Sequence, residues 1–180
     1  GSFKNENFYK GLYSHSNGEY FNGSFENNSI LEGTYYWTTG EIYQGAWKNN
    51  KRHGEAKITL KNGSIFEGFY KNNLKEGIGK ITYSDKNYLI VNFKNDLKEG
   101  YAKFYFTNGG RFEINYRKDK GYGIGRYFYS DGDVFIGEYK DKNGTNKRNG
   151  QGTFYYRDGK QFTTEWRDGK IFKNAILFSK

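Results

Sequence analysis

The chain has 180 residues, with 29 Lys and Arg against 20 Asp and Glu for a formal net charge of +9, and it contains no proline, cysteine or methionine. Without cysteine no disulfide can form, so nothing requires an oxidising compartment, and no apolar run approaches the ~20 residues of a membrane span. Aromatic residues make up 21% of the sequence while the mean hydropathy is −1.02. Rings rather than aliphatic side chains must therefore supply the core.

In chain order, every predicted element is a strand. A small-x-apolar opening at Gly11 and Tyr13 is followed by Phe21-x-Gly23-x-Phe25, then by Gly33-x-Tyr35-x-Trp37. The same pair of patterns returns as Tyr43-x-Gly45-x-Trp47 with Ala56-x-Ile58-x-Leu60, and as Phe66-x-Gly68-x-Tyr70 with Gly79-x-Ile81-x-Tyr83. Degenerate copies begin at Leu89 and Phe112, an intact one at Phe135, and a last degenerate one at Phe162. The first residues, 21, 43, 66, 89, 112, 135 and 162, are spaced by 22, then 23 four times, then 27. The long interval carries an insertion near Lys142-Asn143-Gly144-Thr145.

Both patterns have period two, so each is a strand whose marked residues share one face. Turn glycines follow at Gly18, Gly40, Gly63, Gly109, Gly132 and Gly159, and Lys86 breaks that series. Each repeat is thus a β-hairpin of about 23 residues. Roughly fourteen strands in a meander, at ~4.8 Å each, give an elongated, twisted, single-layer antiparallel sheet about 65 Å long. The glycine between two same-face rings is predicted to open a slot for a neighbouring ring. Val91, Ile114 and Thr164 occupy that slot in three repeats, where the ring packing should change.

The segment Tyr43-Gln-Gly-Ala-Trp-Lys-Asn-Asn-Lys-Arg-His-Gly54 resembles the MORN-repeat consensus, Tyr-x-Gly-x-Trp, a short basic loop and His-Gly-x-Gly. Glu76-Gly-Ile-Gly79 and Gly121-Tyr-Gly-Ile-Gly125 are similar to its second half. The resemblance covers residues 9 to 170 and implies an all-β open meander with a grooved face. It further implies protein binding or self-association as a homodimer, with binding of anionic membrane lipid as an alternative. The implied setting is cytoplasmic, at the cytoskeleton or a membrane surface. We divide the chain into a repeat array, 3–170, and a C-terminal cap, 171–180, formed by a final strand or a short helix. The first hairpin is predicted to lack its opening strand, because 22 residues back from Phe21 runs off the chain. The missing initiator Met and the Gly1-Ser2 start fit a native chain that continues upstream.

Nothing in the sequence assembles a reaction centre. His15 and His53 are the two histidines, and neither belongs to a metal-ligand cluster. His53 takes the family's loop position before a glycine. Gly121-x-Gly123-x-Gly125 opens a strand rather than a helix and lacks the N-terminus of an anion site. Carboxylates such as Glu67, Glu113 and Glu138 recur between strand rings, as expected of a solvated face paired with lysines. We therefore expect no enzyme, no cofactor and no metal.

Two surfaces remain. Phe21, Phe25, Tyr43, Trp47, Phe66, Tyr70, Phe135, Tyr139 and Trp166 should line one face, as core or as a partner-binding groove. The favoured occupant is a protein partner, such as a helical segment. The other surface is a basic loop edge of Lys48, Lys51, Arg52, Lys71, Lys75, Lys94, Lys98, Lys118 and Lys120, suited to anionic lipid at ~1 kcal/mol per basic residue. Nucleic acid and carbohydrate fit less well, the latter because the chain has three Trp.

Overall fold

The computed structural model describes residues 2–4, 7–27, 29–173 and 176–178. Among them there is no helix, and the strands form one open antiparallel meander. The chain resolves into two compact units, Gly1–Ser84 with Phe93–Asp96 and Asp85–Asn92 with Leu97–Lys180.

The first unit contains β1 (Ser2–Lys4), β2 (Asn7–Ser14), β3 (Tyr20–Glu26), β4 (Ser29–Tyr36), β5 (Ile42–Lys48), β6 (Lys51–Thr59), β7 (Ile65–Lys71) and β8 (Leu74–Thr82). β1 pairs antiparallel with β2, so a short opening strand is present where the sequence predicts none. Each later strand pairs with the next: Gly33 faces Gly45, Tyr43 faces Ile58 and Phe66 faces Ile81.

After β9 (Tyr88–Lys94), the second unit continues through β10 (Leu97–Tyr105), β11 (Arg111–Arg117), β12 (Lys120–Phe128), β13 (Val134–Lys142), β14 (Thr145–Tyr155) and β15 (Gln161–Arg167). β15 then pairs with both β16 (Lys170–Ile171) and β17 (Ile176–Phe178). The cap is thus closed by strands rather than a helix. Residues 174, 175, 179 and 180 lie outside the described set.

Two kinds of turn alternate. The loops ending in Gly40 and Gly63 close with a hydrogen bond from the glycine N–H to the carbonyl three residues back, as from Gly63 to Leu60 at 2.9 Å. Lys86 takes the glycine's place in one of them and adopts the same left-handed backbone, at φ 71°. The opposite turns are two-residue hairpins with positive φ at both positions: Asn49-Asn50, Asn72-Asn73, Asn95-Asp96 and Lys118-Asp119. Asn and Asp tolerate this conformation, and its twist matches the strands it joins. The basic loops of the sequence reading are therefore tight turns flanked by basic residues, with Lys118 itself a turn residue in one of them.

The strand glycines are there for close approach. A Cβ at Gly68 would lie 2.7 Å from the Phe66 ring, and one at Gly79 2.5 Å from it. The Phe135 ring occupies the same slot between Gly137 and Gly152, at 2.7 and 2.4 Å. Where Ile114 fills the slot it is itself buried, and Phe112 is left half-buried.

A second irregularity lies in the return strands β6, β8, β12 and β14. Gly45 pairs with Ala56 and Trp47 with Arg52, so His53–Glu55 bulge against Ala46 alone, with Gly54 at φ 77°. His53 sits in this bulge inside β6 rather than in a turn. Glu113 also departs from expectation. It is buried and bound by Arg111 at 2.9 Å rather than solvated.

Candidate functional site

The rings of the first unit form two tiers. Phe21, Tyr43, Phe66 and Tyr70 make a buried floor. Their rings meet edge to face, Tyr43 to Tyr70 at 5.7 Å and Phe66 to Tyr70 at 5.5 Å, the geometry favoured by the ring quadrupole. Trp47 and Tyr70 both meet the Tyr43 ring, Trp47 at 5.0 Å.

Above the floor stands a second tier, in which Trp37, Trp47 and Phe25 are half-buried and Tyr35 is buried. Tyr35 contacts Trp37 at 4.8 Å and Trp47 at 5.8 Å, and His15 lies 4.9 Å from Tyr13. Together with Phe25, Ile58 and Leu60 these side chains wall a groove of about 1260 Å³ that crosses β2 to β8. Leu12 and Tyr13 at its rim are well exposed.

Two of the tyrosine hydroxyls are used inside the fold. Tyr43 donates to the Ala46 carbonyl at 2.9 Å, and Tyr35 donates to Glu19 at 2.8 Å. Burial pushes the Tyr43 phenol well up. It also pushes Tyr35 up to about 12, with the bond to Glu19 adding to it. Burial likewise raises Tyr70 to about 12, opposed by Arg52 and reinforced by Asp96 and Glu41.

The nine ring positions expected to form one groove are thus divided. Phe25, Trp47, Phe66 and Tyr70 line the groove of the first unit. Phe21 and Tyr43 lie beneath it as core. Phe135, Tyr139 and Trp166 form a buried cluster of the second unit with Ile114, against which Phe112, Tyr127 and Phe154 pack. There Arg148 lies over Phe135 at 4.1 Å, Trp166 at 4.8 Å and Phe154 at 4.9 Å, and donates to the Tyr129 hydroxyl. Asn146 covers Gly121 and donates to the Tyr116 hydroxyl at 3.0 Å.

The basic edge is divided as well. Lys48, Lys51, Lys71, Lys94, Lys118 and Lys120 are exposed around the hairpin turns. Arg52, Lys75 and Lys98 are half-buried and turn back over rings. Arg52 lies over Tyr70 at 4.7 Å, Lys75 over Phe66 at 5.1 Å and Lys98 over Tyr116 at 5.1 Å. Sequence reasoning missed Tyr35, Trp37, Ile58 and Leu60 as groove walls. The signal was available, because the second-strand trio shares a face with the first once consecutive strands pair in register. Among the described residues no group of three or more His, Asp or Glu side chains could hold a metal ion.

The family model for the MORN repeat matches residues 43–65, 66–88, 92–111 and 146–161. The chain is a MORN-repeat protein. The hairpin of β11 and β12, with Ile114 in the glycine slot, and strand β13 lie outside the matched segments yet keep the MORN hairpin pairing. No curated protein matches the sequence. Similar solved structures include the TCP domain of SAS-4 (dCPAP) of Drosophila melanogaster in complex with a proline-rich motif of Ana2 (dSTIL). It is 14% identical with a TM-score of 0.42, over 95% of this chain and 90% of that one. Another is the TCP10 domain of Danio rerio CPAP in complex with a peptide of Danio rerio STIL. That one is 14% identical with a TM-score of 0.30, over 90% of this chain and 91% of that one.

Proposed function

We propose that this MORN array is a non-catalytic scaffold whose first unit binds a helical segment of a protein partner in its aromatic groove. The observation that carries the reading is the half-buried Trp37, Trp47 and Phe25, backed by the buried Tyr35, around an open volume of about 1260 Å³. Rings left partly exposed above a complete core gain from a partner what the sheet does not give them, and Trp and Tyr are the usual anchors of such contacts.

The occupant's backbone has to be self-sufficient. The Tyr35 and Tyr43 hydroxyls are spent inside the fold, and an extended chain laid on these rings would leave most of its buried N–H and C=O groups unpaired at a cost of ~1–3 kcal/mol each. A helix pairs its own backbone and presents an apolar stripe. Six strand-to-strand steps, from β2 to β8, give roughly 29 Å of groove, the length of about 19 helical residues.

The test uses Trp37→Leu and Trp47→Phe, which keep most of the apolar volume. Both variants should melt near the wild-type temperature yet weaken partner capture by ~2 kcal/mol. Reversing the exposed Lys48, Lys51 and Lys71 should leave capture intact. Capture lost on charge reversal and kept by the tryptophan variants would reject the groove.

A second reading, anionic lipid at the turn edge, is favoured by like charges placed directly opposite one another, Lys48 to Lys51 and Arg117 to Lys120. Such pairs are unfavourable in the free protein and are relieved by an anion. Flotation with phosphatidylserine vesicles at low and high salt tests it, and binding should fade with salt.

A further inference from the structure

Arg52, Lys75 and Lys98 stand at one repeat position, 23 residues apart, each with its backbone amide bonded to a side chain of the next hairpin turn. For Lys75 and Lys98 that side chain is a carboxylate, Asp96 at 2.8 Å and Asp119 at 3.0 Å, and Lys98 also makes an ion pair with Asp119. For Arg52 it is the neutral Asn73, at 2.8 Å. Among the described residues Arg52 therefore has no carboxylate partner, although it lines the groove.

Its guanidinium is nonetheless held in place. One Nη2–H donates to the Asn73 carbonyl at 3.0 Å, and the plane lies over Tyr70 at 4.7 Å with Tyr43 at 5.9 Å. A guanidinium has five donors in a rigid fork, so most of this fork stays available. The acids in the same groove are engaged elsewhere. Asp96 accepts from the backbone of Lys75, and Glu41, in the turn before β5, accepts from the Thr39 hydroxyl. In the second unit Arg148 pairs with Tyr139 as Arg52 pairs with Trp47, but its guanidinium lies against three rings and bonds the Tyr129 hydroxyl.

We propose that Arg52 is the receptor for a carboxylate side chain on the groove's helical occupant, fixing that helix's register. The proposal rests on the groove reading above and deepens it. A partner helix then carries an Asp or Glu flanking its apolar stripe, placed to meet the guanidinium fork. Lys75, already beside Asp96, contributes less.

The test is a displayed library of 21-residue amphipathic helices with a fixed leucine stripe and an amidated C-terminus. Its flank positions vary among Glu, Gln, Lys and Ser. The wild-type protein should enrich Glu over Gln at one flank position by about tenfold. Arg52→Gln should lose that preference, Arg52→Lys should keep part of it, and Lys75→Gln should keep it nearly whole, with all four proteins melting alike. Binders without a Glu preference, or an equal preference in Arg52→Gln, overturn the role of Arg52 and leave the groove reading standing. No binders at all rejects both.

Discussion

The two units are made from the same hairpin, yet one leaves its ring face open and the other fills it from within. In the first, Arg52 rests on Tyr70 at the wall of a groove. In the second, Arg148 at the same repeat position is half-buried over Phe135, Phe154 and Trp166 and bonds Tyr129. Ile114 takes a ring slot, Phe112 packs on Tyr139 at 4.8 Å, and Asn146 covers the space above Tyr116. The periodic residues set strand, turn and bulge in both units. Whether a face is open is decided by single positions that the period does not mark.

The largest effect should be common to both units. Phe66→Ala and Phe135→Ala each empty a slot between two glycines, and each should cost ~3–5 kcal/mol in urea titrations. A loss below ~1 kcal/mol in either would mean the slots can collapse.

The arginines should then separate the units. Arg148→Ala removes contacts to three rings and the bond to Tyr129 and should cost ~2 kcal/mol, whereas Arg52→Ala should cost less than ~1 kcal/mol. Equal losses would mean that Arg52 is as structural as its counterpart.

A smaller effect concerns alkali. Burial holds the Tyr35 and Tyr70 phenols at about 12 in the folded chain, against 10.0 unperturbed. Their folded values are raised, so their contribution is complete below about pH 10 and is lost as pH climbs from 10 through 12. Urea midpoints should be level from pH 8 to 9.5 and fall above pH 10, less steeply in the double variant Tyr35→Phe, Tyr70→Phe. A fall starting near pH 8 would contradict this.

Much of this was legible in the sequence. The 23-residue period gives the hairpins, and the ring-Gly-ring trios give the slots that Phe66 and Phe135 fill. The groove was not fully legible, because a ring at a core position reads the same whether its face is covered or bare. Tyr43 and Trp47 belong to one motif, yet the first is fully buried and the second half-buried. The bulge opposite Ala46 was also hidden. It turns Arg52 over the rings, so a residue that reads as basic loop becomes groove wall. The Asn-Asn turns were visible but were read as loops, since it is their paired positive φ that makes them two-residue turns.

The chain's three tryptophans make the comparison measurable. Trp37 and Trp47 are half-buried in the groove wall, and Trp166 is buried in the second unit's core. Hydroxyl-radical footprinting, with each tryptophan quantified by mass spectrometry, should be run on the free protein and with a helix selected from the library. Fast oxidation of Trp37 and Trp47 in the free protein, their protection by the helix, and slow oxidation of Trp166 throughout are the results expected. Oxidation of Trp166 as fast as that of Trp47, or a bound helix that protects neither groove tryptophan, would contradict the account.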